Sequence, residues 1–99
     1  MKGTVTLIVP CYNEEESLPI FYHAVCDVAQ TLPDYQMTFL LINDGSKDNT
    51  LQIMRDLAAK DERVKYLSFS RNFGKEAAMY AGFCNAEGDY VAVMDADMQ

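Results

Sequence analysis

Tryptophan is missing from this 99-residue chain, histidine occurs once, and 8 lysine plus arginine residues face 15 aspartate plus glutamate residues, for a formal net charge of −7. So few positive charges argue against a general grip on nucleic acid or anionic lipid headgroups, since both need a positive field to displace counterions. A phosphate-bearing ligand must therefore be met locally. The three cysteines, Cys11, Cys26 and Cys84, are odd in number, far apart and without a CxxC pair. Neither a disulfide framework nor a zinc site is indicated, and a reducing compartment is the simplest home. Long apolar runs are missing too. The first one meets Pro10 and then Glu14 to Glu16 too early for a signal-peptide core, and no stretch approaches the roughly 20 apolar residues of a membrane span. Neither GxGxxG nor GxxxxGKS/T follows an apolar run, which removes a dinucleotide fold and a P-loop kinase. No serine or cysteine nucleophile stands beside a partnered base.

What is present suits one domain with its own core, since 49% of the residues are hydrophobic. Four short runs, Thr4 to Val9, Met37 to Ile42, Val64 to Phe69 and Tyr90 to Met94, are nearly continuous in apolar, β-branched or aromatic character. Strands buried on both faces of a parallel sheet read this way. Three helical patterns lie between them. The first carries Leu18, Phe21, Tyr22, Val25, Val28, Ala29 and Leu32 at helical spacing, with Glu14 to Glu16 at its positive end and Pro19 in its first turn. The second runs from about Asn49 to Lys60, with Leu51, Met54, Leu57 and Ala58 on one face and Asp48 as N-cap. The third, about Lys75 to Ala86, presents the small residues Ala77, Ala78, Ala81 and Gly82 to a sheet and ends at Gly88. The order β-α-β-α-β-α-β, without repeats or linker, predicts an α/β fold: an open, mostly parallel, Rossmann-like sheet with helices on both faces.

Ligands of such sheets bind outside the carboxyl ends of the strands. Each predicted strand here is followed by a polar cluster: Pro10-Cys11-Tyr12-Asn13-Glu14, Asn43-Asp44-Gly45-Ser46, Ser70-Arg71-Asn72-Phe73-Gly74-Lys75 and Asp95-Ala96-Asp97-Met98-Gln99. Tyr12, Glu14, Asp44, Lys75 and the Asp95/Asp97 pair are thereby expected to line one crevice. Asp95 and Asp97, two residues apart at a strand end, can present both carboxylates to one cation. Beside a diphosphate they would require a bridging divalent ion, for which hard Mg²⁺ or Mn²⁺ with oxygen ligands is the usual solution, and Gln99 offers a further oxygen. The plainer reading is a capped, solvated turn. Asp44 can accept a hydrogen bond from a nucleobase or ribose while Gly45 permits close approach, although the stretch equally suits a turn and helix cap. Tyr12 can stack on a base or simply pack. Arg71 and Lys75, beside a helix N-terminus, suit phosphate binding as well as surface ion pairs with Glu76 or Asp61. Cys26 and Cys84 read as small core residues, the methionines as core filler and His23 as surface or packing. Nothing beside Cys11 would activate its thiol. An aspartyl phosphotransferase with a DxDxT/V signature is disfavoured by Gln99 in the fifth position.

In order and spacing the four clusters resemble the family 2 glycosyltransferases of the GT-A fold. Arg71-Asn72-Phe73-Gly74-Lys75-Glu76-Ala77-Ala78 and the Asp95-Ala96-Asp97-Met98-Gln99 ending are similar to the branch that loads a sugar onto a polyprenyl phosphate, the dolichyl-phosphate mannosyl and bactoprenyl-phosphate glucosyl transferases. Many members have a second aspartate where this chain has Asn43. The resemblance implies that Pro10, Tyr12 and Glu14 border the nucleoside and that Asp44 bonds the base. It implies that Asp95, Asp97 and Gln99 hold the metal against the diphosphate, with Asp95 and Asp97 as the catalytic pair. Arg71 and Lys75 then help to neutralise phosphate or fix the crevice wall. It further implies metal-dependent, inverting transfer from a UDP- or GDP-sugar to a polyprenyl phosphate lipid. The alternatives are a polysaccharide synthase or hydroxyl-directed transferase of the same family, and a non-catalytic nucleotide-binding or oligomerising module. Residues 1–99 are expected to be the nucleotide-sugar-binding part of a domain cut after the DxD motif, soluble and inactive alone. Membrane attachment on the cytoplasmic side would come through a following part. A homo-oligomer could form through an open sheet edge.

Overall fold

The computed structural model describes residues 3–96. It contains β1 (Gly3–Cys11), α1 (Ser17–Gln30), β2 (Tyr35–Asn43), α2 (Thr50–Lys60), β3 (Val64–Ser68), α3 (Lys75–Asn85) and β4 (Tyr90–Val93). All pairings are parallel and the strand order is β3-β2-β1-β4. β1 lies along β2 from Gly3 opposite Tyr35 to Cys11 opposite Asn43, and along β4 from Val5 opposite Tyr90 to Ile8 opposite Val93. The chain therefore steps outward from β1 to β3 and then returns to the far side of β1. The strand order reverses between β1 and β4, where the carboxyl ends open a crevice.

Alternation along the strands separates two cores. Leu7, Val9 and Cys11 of β1 pack with Leu18, Phe21 and Val25 of α1 and with Met54 and Leu57 of α2. Ile8, Leu40 and Ile42 face the other way, onto Ala78 of α3. Each fully buried large side chain, such as Phe21 or Met54, contributes about 1.5–3 kcal/mol over leaving it in water. The small-residue stripe of α3 acts as expected: a Cβ on Gly82 would come within 2.4 Å of Ile8 Cγ2, so only glycine lets the helix lie this close. Among the described residues no helix is long and apolar enough to cross a membrane.

Several expectations give way. β3 and β4 are the outer strands of the described sheet, so they are not buried on both faces: Tyr90, Val91 and Ala92 are exposed, as are Lys65 and Ser68. Val28 and Leu32 also face outward, beyond the stripe formed by Leu18, Phe21 and Val25. Cys84 is exposed, whereas Cys26 packs at the margin of the core. Met54 and Met37 are core residues, but Met94 is exposed. Helix α3 ends at Asn85, ahead of Gly88, because Ala86 is already extended. The N-cap of α2 is Asn49, without a side-chain bond, and Asp48 acts one residue earlier.

Candidate functional site

The crevice has a volume of about 400 Å³. Pro10, Cys11, Tyr12 and Glu14 line it from the end of β1, Asp44 from the end of β2, Asn72, Gly74 and Lys75 from the entry to α3, and Asp95 from the end of β4. Of the residues singled out in the sequence, Pro10, Tyr12, Glu14, Asp44, Lys75 and Asp95 thus come together. Arg71 is outside this lining, with its guanidinium 4.9 Å from the Phe73 ring centre. Asp97 and Gln99 lie outside the described residues.

Side-chain to backbone hydrogen bonds stitch the loops that build the site. The Asn13 amide donates to Ser46 Oγ at 2.9 Å, and the Lys47 amide returns a bond to Asn13 Oδ1 at 2.8 Å. Asn13 tolerates the left-handed conformation this requires, with φ at 53°. The Glu14 amide donates to the buried Thr50 Oγ1 at 2.8 Å, and the Glu15 amide to Asp48 Oδ2 at 3.2 Å. Asp48 Oδ1 also accepts from the Thr50 amide and hydroxyl. Burial pulls the Asp48 carboxyl up, but these bonds outweigh it and leave it below its ordinary value. Asn43, buried at the end of β2, donates to Ser68 Oγ and accepts from the Ser46 amide, tying β3 to the same turn.

Asp44 is the pivot of the crevice wall. Its carboxylate, on a residue 3% exposed, accepts from the Phe73 amide at 2.8 Å and from the Gly74 amide and Asn72 Nδ2 at 3.1 Å each. Asn72 Nδ2 also reaches the Asp44 carbonyl. The freedom of Gly45, at φ 71°, is used by this same loop: a Cβ there would sit 2.1 Å from the Arg71 carbonyl carbon. Its close approach is therefore to the chain itself. Composition alone did not single out Asn13, Ser46, Thr50 or Asn72 for these roles; their one sequence signal is the density of turn-forming residues.

Lys75 Nζ lies 2.5 Å from Asp95 Oδ1. The surface pairing with Glu76 or Asp61, the alternative to phosphate binding, is thus not the one Lys75 makes, and Asp61 is held by Arg63 at 2.8 Å. Tyr12 stands half-open at the crevice mouth. Cys11 is buried and its thiol points back to the Val9 carbonyl. Burial, and then the charge of Glu14, push its pKa well above the ordinary thiol value, which disfavours the thiolate a nucleophile needs.

The sequence profile of Glycosyl transferase family 2 matches residues 6–99. The chain belongs to that family. It is 48% identical over 99 residues to the putative glycosyltransferase CsbB of Bacillus subtilis (strain 168), a match spanning 99% of this chain and 30% of the relative. It is 48% identical over 95 residues to the bactoprenol glucosyl transferase of Shigella phage SfV, spanning 96% of this chain and 31% of the relative. The chain thus covers about a third of the length of these family 2 relatives. Among solved structures, residues 1–349 of S. aureus TarS superpose with a TM-score of 0.79 at 26% identity, covering 95% of this chain and 27% of that one. TarS is also solved with UDP, at the same similarity. The Pyrobaculum calidifontis mannosyltransferase solved with GDP-Man and Mn²⁺ shares the fold, with a TM-score of 0.76 at 24% identity over 98% of this chain and 28% of that one. The α/β sheet has the GT-A fold of these glycosyltransferases.

The described crevice fits a hard cation better than a soft one. Its acidic donors are the carboxylates of Glu14, Asp44 and Asp95, it holds no histidine, and its one thiol is buried and turned back to the Val9 carbonyl. No group of three candidate ligands converges among the described residues, so a metal here would rest on Asp95 together with oxygens supplied from elsewhere.

Proposed function

We propose that this chain is the nucleotide-sugar-binding part of a metal-dependent, inverting transferase that moves a sugar from a UDP- or GDP-sugar to a polyprenyl phosphate lipid. The observation that carries this reading is the convergence, at the β1/β4 switch point, of a half-open tyrosine, an Asp44-braced loop and an Asp95 carboxylate paired with Lys75. Similarity to the bactoprenol glucosyl transferase of Shigella phage SfV supports the lipid acceptor.

In this reading Pro10, Tyr12 and Glu14 border the nucleoside, and Asp44 sets the wall against which the base lies and bonds it through its remaining acceptor capacity. Asp95, with Asp97 and Gln99, holds Mg²⁺ or Mn²⁺. When bound, that cation neutralises charge on the departing nucleoside diphosphate. Lys75 adds positive charge from the start of α3, and Arg71 does so from the rim. The acceptor phosphate oxygen attacks the sugar C1 opposite the leaving group. It is already anionic, so no strong general base is demanded of this chain.

Calorimetry with UDP and with GDP, each with and without Mn²⁺, tests the reading. Nucleotide binding that strengthens with Mn²⁺ is expected. A protein that is folded by circular dichroism yet shows no metal-dependent nucleotide binding refutes it.

A further inference from the structure

Lys75 is the one basic residue among those lining the crevice in the described part of the chain. Its backbone is fixed as the first residue of α3, where the Ala78 amide bonds the Gly74 carbonyl and Ala78 is buried against the sheet. Its side chain is not fixed. Among the described residues the ammonium makes one ion-pair contact, to Asp95 Oδ1 at 2.5 Å, and the two side chains are 58% and 33% exposed. Such accessible pairs have little net strength and open readily. The other ion pair is built differently: Arg63 reaches Asp61 through both Nε and Nη2, while Tyr22 Oη donates to the same carboxylate. One pair is locked, whereas the other can exchange.

We propose that Lys75 is an exchangeable occupant of the Asp95 carboxylate: it holds the place of a divalent cation in the ligand-free protein, and when the cation takes that carboxylate the freed ammonium turns to the donor's diphosphate. This rests on the reading of the crevice as a metal and nucleotide-sugar site. A dication and an ammonium repel each other on one carboxylate, so Lys75 must give way. The flexible stem of lysine lets it re-aim within the same crevice. Metal and nucleotide are then coupled through Lys75 as well as through direct bridging. Without metal, a diphosphate must compete with Asp95 for the ammonium; with metal, the ammonium is already released.

A charge that merely adds to the local field contributes equally to nucleotide binding with and without metal, and so leaves their coupling unchanged. The exchange contributes unequally. The test measures Mn²⁺ affinity by electron paramagnetic resonance, with and without saturating UDP or GDP and corrected for Mn²⁺ held by free nucleotide. The ratio of the two affinities is the coupling factor, and linkage makes it the same for either ligand. Lys75→Met is expected to lower this factor by about three- to fivefold, the scale of an accessible ion pair, while Lys75→Arg, which keeps the charge, stays within about twofold of the parent. Circular dichroism confirms that both variants fold. An unchanged factor in Lys75→Met, or an equal loss in Lys75→Arg, overturns the exchange while leaving metal-dependent nucleotide binding intact. A parent protein without Mn²⁺-dependent nucleotide binding overturns the site assignment itself.

Discussion

Replacing Asp44 by alanine or asparagine tests whether its carboxylate builds the crevice wall. Three donors converge on it: the Phe73 amide at 2.8 Å, the Gly74 amide at 3.1 Å and Asn72 Nδ2 at 3.1 Å. A hydrogen bond to a charged partner contributes about 1.5–3 kcal/mol net. The full sum would overstate the loss, because Asn72 and Phe73 are exposed and their freed donors can rehydrate. Taking the low end of the range and partial rehydration, Asp44→Ala should cost about 2–4 kcal/mol. Asp44→Asn keeps one acceptor oxygen but turns an amide donor toward another donor, so its cost should be about 1.5–3 kcal/mol.

Those losses are large against a typical domain stability of about 5–15 kcal/mol. Urea unfolding should show them as midpoint shifts of roughly 1–2 M at a slope of about 2 kcal/mol/M. Amide exchange gives the local answer: Phe73 and Gly74 should exchange about 10- to 100-fold faster in both variants, at about 1.4 kcal/mol per tenfold change. If both variants stay within about 0.5 kcal/mol of the parent and the two amides keep their protection, Asp44 does not brace this loop.

Three further outcomes follow from the same structure. Asp61 is held well below the ordinary carboxylate range, first by the Arg63 side-chain bond and also by the Tyr22 hydroxyl. A depressed folded pKa stabilises above the unfolded value of about 4 and loses that effect as pH falls through the folded one; urea melts should find Asp61→Asn less stable than the parent at pH 7, with the gap closing below about pH 4, and a gap constant with pH contradicts this. Gly82→Ala should destabilise by about 1–3 kcal/mol by overpacking, since its Cβ would meet Ile8 Cγ2 at 2.4 Å; unchanged thermal unfolding would show that α3 shifts freely. Iodoacetamide followed by mass spectrometry should label exposed Cys84 first and buried Cys11 only on unfolding; early labelling of Cys11 would mean that the floor of the crevice opens.

The strands were legible because β1 and β2 are continuous apolar runs, and the crevice was legible because chemistry-bearing residues recur after each run. What the sequence could not reveal is which strand lies outermost. Tyr90-Val91-Ala92-Val93 is as apolar as the buried Leu7-Ile8-Val9, yet it is an outer strand of the described sheet. The stitching of the loops was hidden for a different reason. The bonds from Asn13 to Ser46 and from Glu14 to Thr50 join residues 33 and 36 apart, and their polar side chains serve equally well in a local turn. For Lys75 the sequence offered Glu76 or Asp61 as pairing partners, whereas the structure sets it against Asp95, just past β4.

Asp44 and Asp95 carry the same functional group to the same crevice, yet their surroundings assign them opposite behaviour. Asp44 is buried among three donors, two of them backbone amides that move only if the loop moves, so its orientation is set before any ligand arrives. Asp95 is a third exposed and, among the described residues, meets one donor, at the end of a long flexible stem. Preorganisation of the first costs nothing when substrate binds, which is what a wall requires. In the proposed exchange the second trades partners during binding, and a fixed network would oppose that. A crevice with one rigid and one exchangeable carboxylate separates holding the shape of a site from responding to the charge that enters it.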